Sequence, residues 1–301
     1  MSEVLRTAEA PMRGVLRIFI GQLDKAVAEL ERGTSDDAIH EIRKELKRAR
    51  ATLRLLREPL GTVAYRRENT ILRNTARPMT PLRDGQVLLE AFNTLLGTVR
   101  LPKRATASND IHRMLLRERS VAHSQWQARA KTSDTNALRA VRVRMQGVNQ
   151  ARLDRARLSV GVERAYKKAR KTYVRAKRDP SDDRLHEWRK QVKYFLHQLQ
   201  VAQPLEPKRI VKSVNKAHKL ADHLGVDHDL ALLQQKILRN LKACTACDRI
   251  ALKAISAQLK RRRSSLQRKS YRLADKLYSN APRRVGKRFE GYSAAWQRLA
   301  N

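Results

Sequence analysis

The ten residues from Ser35 to Lys44 read SDDAIHEIRK, and the ten from Ser181 to Lys190 read SDDRLHEWRK. Seven positions are identical, at an offset of 146 in a chain of 301 residues. That period is too long for a solenoid, whose units repeat every ~20–50 residues. It predicts two similar halves, 1–155 and 156–301, each built around a helix that starts at SDD and carries His, Arg and Lys early. A repeat kept only for packing would retain its apolar residues best. This one retains polar and basic residues, which points to a shared binding task.

Lys and Arg total 66 against 29 Asp and Glu, a formal net charge of +37. Such an excess opposes compaction through self-repulsion and favours an anionic partner. Apolar residues still make up 41% of the chain, enough for a sizeable core. Gly and Pro are scarce at 11 and 9, and good helix formers dominate. The fold class that follows is all-α: two antiparallel helical bundles side by side. Helices are predicted over about 3–32, 35–57, 62–77, 82–96, 111–131, 135–157, 162–178, 182–202, 206–224, 228–243, 246–279 and 284–299. Residues 98–110 read as a linker.

The most apolar N-terminal stretch, Gly14 to Leu23, is interrupted by Arg17. It is too short and polar to span a bilayer, and no secretory signal pattern lines up. Two cysteines, Cys244 and Cys247, make no disulfide framework, so a reducing cytoplasm is the default expectation. In predicted helix, without a second Cys pair or a nearby His, they read as two small half-buried side chains.

An ideal helix advances about 100° per residue. On that wheel His40, Arg43, Lys47, Arg50, Arg54 and Arg57 share an arc of about 100°. Ile42, Leu46, Ala49, Leu53 and Leu56 fill the adjoining arc, which places the basic stripe on a groove wall. His186, Arg189 and Lys193 have the same phase in the second copy, beside Trp188, Val192, Phe195 and Leu199. There the stripe thins, because Leu196 and Gln200 stand where the first copy has Arg50 and Arg54. The following helix compensates with Lys208, Lys212, Lys216, Lys219 and His223 on one face. Its counterpart offers Arg66, Arg73 and Arg77. Arg83-Asp84 and His228-Asp229 close the two motifs at nearly equivalent places. One basic face alone is most simply a solvated surface. Four of them in two phase-matched pairs, without acids to relieve the repulsion, fit an external polyanion better.

Four polyanions compete. Single-stranded nucleic acid is held by stacking on aromatics, and these lines contain none. Duplex readers carry recognisable reading modules, absent here. A membrane-surface helix needs its apolar face free, whereas these apolar faces serve a core. A polymer of bare phosphates asks only for closely spaced cations along a track.

The doubled H-x-x-R-K-x-x-K, His40/Arg43/Lys44/Lys47 and His186/Arg189/Lys190/Lys193, is followed some 42–43 residues later by Arg83-Asp84 or His228-Asp229. It resembles the CHAD family (conserved histidine α-helical domain) over roughly residues 10–300. The resemblance implies two pseudo-symmetric helical bundles and binding of inorganic polyphosphate through a basic channel or cleft, with association to polyphosphate granules. It assigns the binding role to His40, Arg43, Lys47, Arg50, His186, Arg189 and Lys193. Leu196 departs from the pattern, where Arg is common. Many relatives carry a CYTH triphosphatase domain marked by E-x-E-x-K. That motif is absent, so the expectation is a stand-alone CHAD protein.

Enzymatic readings find less support. His40-Glu41 and His186-Glu187 begin like H-E-x-x-H zinc sites, but Lys44 and Lys190 stand at the last position and cannot serve as the second imidazole. There is no Gly-rich phosphate loop, and Asp84 and Asp229 are too few for a magnesium cage. They read instead as caps or partners of a neighbouring Arg. The expectation is therefore a non-catalytic protein without metal or cofactor. Inorganic polyphosphate is its partner, nucleic acid at most a weak one, and it has no membrane association. A nucleic-acid-associated protein and a metal-dependent phosphohydrolase are the alternatives. Oligomeric state, and whether the halves form one channel or two sites, are not fixed by the sequence.

Overall fold

A computed structural model describes residues 4–7, 9–33, 35–98, 106–129, 132–240 and 246–300. Cys244 and the side chain of Cys247 lie outside the described residues, as does most of the expected 98–110 linker. Every regular element among the described residues is helical. In the first half these are α1 (Pro11–Arg32), α2 (Asp36–Leu53), α3 (Arg57–Ala76), α4 (Thr80–Leu96), α5 (Ala107–Gln127), α6 (Thr132–Gln146) and α7 (Gln150–Arg155). In the second half they are α8 (Leu158–Arg178), α9 (Asp182–Ala202), α10 (Pro207–Asn240), α11 (Ala246–Leu277) and α12 (Pro282–Ala300). The chain is all-α, as its composition requires.

Several boundaries differ from the sequence expectation: α1 begins at Pro11 and not near residue 3, α5 begins at Ala107 inside the expected linker, and the helix expected over 135–157 is split into α6 and α7. The second helix does not reach Arg57; it stops at Leu53, and α3 restarts at Arg57. Pro59 cannot extend α2, but it is tolerated in the first turn of α3, where no backbone donor is needed. Gly61, at φ 75°, then kinks α3 in a conformation that favours glycine. The break expected after residue 224 does not occur, and α10 runs through Gly225 to Asn240. Gly225 keeps a negative φ. A Cβ there would lie 3.7 Å from Arg189 Nε, an ordinary van der Waals contact, so the Arg189 side chain packs directly against this turn of α10.

The two copies of the repeated helix, α2 and α9, pack on each other. α1 and α8 cover their respective partners, and α4 packs on both α2 and α10. The larger apolar cluster joins Phe19, Ile42, Leu46 and Leu53 of the first half to Tyr166, Trp188, Phe195 and Leu199 of the second. The smaller one joins Leu88 and Phe92 of α4 and Leu115 of α5 to Leu233 of α10 and Ile255 of α11. Neither cluster stops at the junction between the halves. Gln198, fully buried on α9, donates its Nε2–H to the Ala51 carbonyl of α2 at 3.0 Å, which ties the seam.

No helix among the described residues is long and apolar enough to cross a membrane.

Candidate functional site

The start of each repeated helix is fixed locally. Ser35 Oγ accepts the Ala38 N–H at 3.2 Å, and Ser181 Oγ accepts the Arg184 N–H at 3.3 Å. Asp36 pairs with Arg119 of α5, and Asp182 pairs with Arg263 of α11. These anchors set the rotation of α2 and α9, so residues one turn further along face the space bounded by α2, α4, α9 and α10.

Into that space the sequence delivers Arg43 and Lys47 from α2, Arg83 and Asp84 from α4, His186, Arg189 and Lys193 from α9, and Asp229 from α10. They act on one another across the junction. Lys47 is repelled by Arg43, Lys193 and Arg189. Lys193 is repelled by Arg189 and Arg83. Asp84 feels Arg43 and Lys47 of its own half together with Arg189 and His186 of the other. None of Arg43, Lys47, Arg83, Arg189 and Lys193 makes an ion pair with a described residue. Many acids of the chain pair with basic residues outside this cluster. Lys44 and Lys190, also expected at the site, are held by Glu41 and Glu187 three residues back on the flank of each helix.

Burial, reinforced by like charge, pushes the Lys47 ammonium down to about 7. Lys193 is pushed down to about 8 by the same two causes in the same order. By surface area, however, Lys47 is exposed and Lys193 half-exposed. Protein atoms thus crowd both side chains while solvent still reaches part of each. Arg43 is 7% exposed, and its guanidinium donates to Thr80 Oγ1 at 2.9 Å. The Nε–H groups of Arg43 and Arg189 are buried and have no acceptor. Buried donors are nearly always satisfied, so this matched pair of orphans marks a place for an external acceptor.

Asp84 and Asp229 neither cap a helix nor pair with one Arg. Burial raises both carboxyls above the usual range, against the pull of the cations around them. They act as shared counter-charges for the basic cluster, a role their spacing did not reveal. His186 stacks at 4.3 Å, tilted by 37°, on His228, which burial and its neighbours push down to about 4. Burial lowers His40 and His186 as well. These imidazoles are therefore neutral at neutral pH, and His186 Nδ1 is buried without a partner. Among the described residues no group of three or more His, Cys, Asp or Glu side chains is arranged to hold a metal ion.

The stripe continues along α2. Arg50 donates to Asn69 Oδ1 at 3.2 Å, and the guanidinium carbon of Arg54 sits 3.6 Å over the Tyr194 ring of α9. Leu196 is buried in the core, so the second stripe does end after Lys193. Arg66, Arg73 and Arg77 lie exposed on or just past α3. Lys208, Lys212, Lys216 and Lys219 lie exposed on α10, with His223 half-exposed. Of these residues only Arg73 acts on the α2 line, through Arg50. Arg66, Arg73 and the four lysines lie on outer faces, Arg77 lines a pocket that also holds Asp84, and His223 Nδ1 is buried without a partner, whereas the central cluster is drawn from the two repeats and the two Asp-bearing helices.

Comparison with known families bears on this arrangement directly. The sequence profile of the CHAD domain matches residues 15–238, a span that holds every member of the central cluster. The chain belongs to the CHAD family. No curated protein matches it closely enough to name a relative. The match reaches from α1 into α10, so the paired motifs of this CHAD protein and both Asp-bearing helices fall within the family's domain.

Proposed function

We propose that this CHAD protein binds inorganic polyphosphate without catalysis, with cations from both halves gripping one chain. The observation that carries the reading is the cluster of Arg43, Lys47, Arg83, Arg189 and Lys193. These cations converge from three helices and lack ion-pair partners, while many other basic residues of the chain are paired. Crowded, repelling cations cost stability in the empty protein, and an external polyanion offsets that cost. Among the described residues, none of the cluster's named members is a Phe, Tyr or Trp on which bases would stack, which favours a bare phosphate polymer over single-stranded nucleic acid. The proposal extends to a cytoplasmic location at polyphosphate granules, which fluorescence co-localisation tests.

Titration with long-chain polyphosphate tests the binding. The double variant Lys47→Ala/Lys193→Ala removes two crowded charges, and Lys167→Ala/Lys171→Ala removes two exposed ones on α8. The first should weaken binding by roughly tenfold or more per lysine, the scale of a charge-assisted hydrogen bond. The second should weaken it far less. Equal losses would show that diffuse charge is responsible. Efficient competition by RNA at matched phosphate concentration would favour a nucleic-acid protein. Phosphate release in Mg²⁺ or Mn²⁺ would overturn the non-catalytic part of the proposal.

A further inference from the structure

The line of cations on α2 does not run out into solvent. Just past Leu53 it meets a small pocket of about 70 Å³ where α2, α3, α8 and α9 come together. Arg54, Arg57, Tyr65, Arg164, Lys168 and Tyr194 line it, and no carboxylate does. Two of these guanidiniums lie against rings: Arg54 at 3.6 Å over Tyr194 and Arg57 at 5.3 Å over Tyr65. Stacking occupies the face of a guanidinium and leaves its N–H edges for acceptors; Arg54 spends Nη1 on the Arg50 carbonyl and keeps its other edge N–H groups. The acid that acts on Lys168 is Glu187, already bound to Lys190 at 2.7 Å and to Gln191 Nε2 at 2.6 Å. The pocket adjoins the track, since Arg50 feels Tyr194, Arg54 and Tyr65 together.

Gln198 also belongs to the pocket's lining and is fully buried. Its Nε2–H is committed to the Ala51 carbonyl at 3.0 Å, which fixes which end of the amide is which. Its Oε1 has no donor. The pocket thus combines four cations with one unsatisfied buried acceptor.

We propose that this pocket is a subsite for the terminal phosphoryl group of the bound chain, distinct from the track that holds internal phosphates. The inference rests on the polyphosphate reading of the central cluster. Its chemistry follows from how a polyphosphate ends. Each internal phosphoryl has one strongly acidic oxygen and no hydroxyl at neutral pH. A terminal phosphoryl has a second, weakly acidic hydroxyl, comparable to a phosphate monoester with a second pKa of about 6. It is therefore the one unit that offers either an extra negative charge to the cations or an O–H to an acceptor such as Gln198 Oε1. At about 70 Å³ the pocket is of a size to admit a tetrahedral phosphoryl group.

The test compares chains with and without ends. Linear tripolyphosphate and cyclic tetrametaphosphate, similar in charge, compete for the protein against labelled long-chain polyphosphate. The wild type should prefer the linear compound by about tenfold, the scale of one or two charge-assisted contacts. In Arg164→Ala/Lys168→Ala the linear-to-cyclic ratio should fall to near one. A variant that merely folds less well lowers both affinities and keeps the ratio, so a ratio that persists overturns the subsite. Equal competition by line and ring in the wild type also overturns it. Failure of the wild type to bind the labelled long chain at all would sink the polyphosphate reading itself, a separate outcome.

Discussion

Ser35 and Ser181 cap their helices, and Asp36 and Asp182 hold Arg119 and Arg263. Asp37 and Asp183 are exposed in the first helical turn, where the helix dipole favours acids. Glu41 and Glu187 hold Lys44 and Lys190. Most identities of the repeat thus serve the start and orientation of a helix. Only the His and Arg of each copy remain for a ligand. The inference from a polar repeat to a shared grip therefore narrows to those residues and does not extend to the rest. Lys47 and Lys193, conserved at the same offset just beyond the ten-residue match, carry the crowding. Their pKa values of about 7 and about 8 govern the pH dependence. A bound polyanion favours the charged ammonium, so binding takes up protons and affinity should fall as pH rises through about 7 to 8. The histidines, lowered by burial, contribute only at more acid pH. Lys47→Arg should flatten the neutral part of a calorimetric pH series; an unchanged profile would exclude Lys47 as its source. The empty protein behaves oppositely. Between the unfolded value of 10.5 and the folded value of about 7, unfolded Lys47 binds more protons, so its penalty on stability lifts as pH rises. Lys47→Ala/Lys193→Ala should therefore melt no lower than the wild type at neutral pH, although it binds worse. Asp84→Asn should do the reverse. It should cost on the order of 1–3 kcal/mol of stability without ligand, by stranding Arg43 and Arg189. It should also enlarge the thermal shift produced by polyphosphate.

Among elements, Gly161 decides how closely α8 approaches the turn that ends α2. A Cβ there would lie 2.7 Å from Leu55 Cδ2 and 3.2 Å from Leu55 Cα, and the latter is backbone that cannot rotate away. Gly161→Ala should cost about 1–3 kcal/mol through overpacking, measurable by urea unfolding. Since Gly161 also lines the pocket beside Arg54 and Tyr194, the variant should weaken linear tripolyphosphate more than the cyclic compound. Most helices were legible from periodicity and punctuation: α9 was expected over 182–202 and occupies Asp182–Ala202. The misreadings came from local signals that tertiary contacts overrule. Gly225 looks like a stop, yet it keeps a negative φ and α10 continues through it to Asn240. Arg57 fits the α2 wheel, yet Pro59 moves it to α3. Asp84 and Asp229 resembled caps because the sequence does not show that α4 and α10 face α2 and α9.

For the whole molecule, the distribution of charge matters more than its sum. A net +37 would repel itself anywhere, but the acids tie down the periphery and leave the centre unpaired. Affinity for a polyanion should therefore fall steeply with salt, by counterion release. Each crowded lysine removed should lower the slope of log K against log[salt] by about one. The sequence predicted two halves with a basic line each. It could not decide between one site and two, because that depends on α2 packing against α9 and α4 against α10. The measurement that decides this is calorimetric titration of the wild type, Lys47→Ala and Lys193→Ala with a defined short polyphosphate. One chain per protein, with affinity lowered by either substitution and the stoichiometry unchanged, is the predicted result. Two independent sites, each weakened by only one of the substitutions, would contradict it.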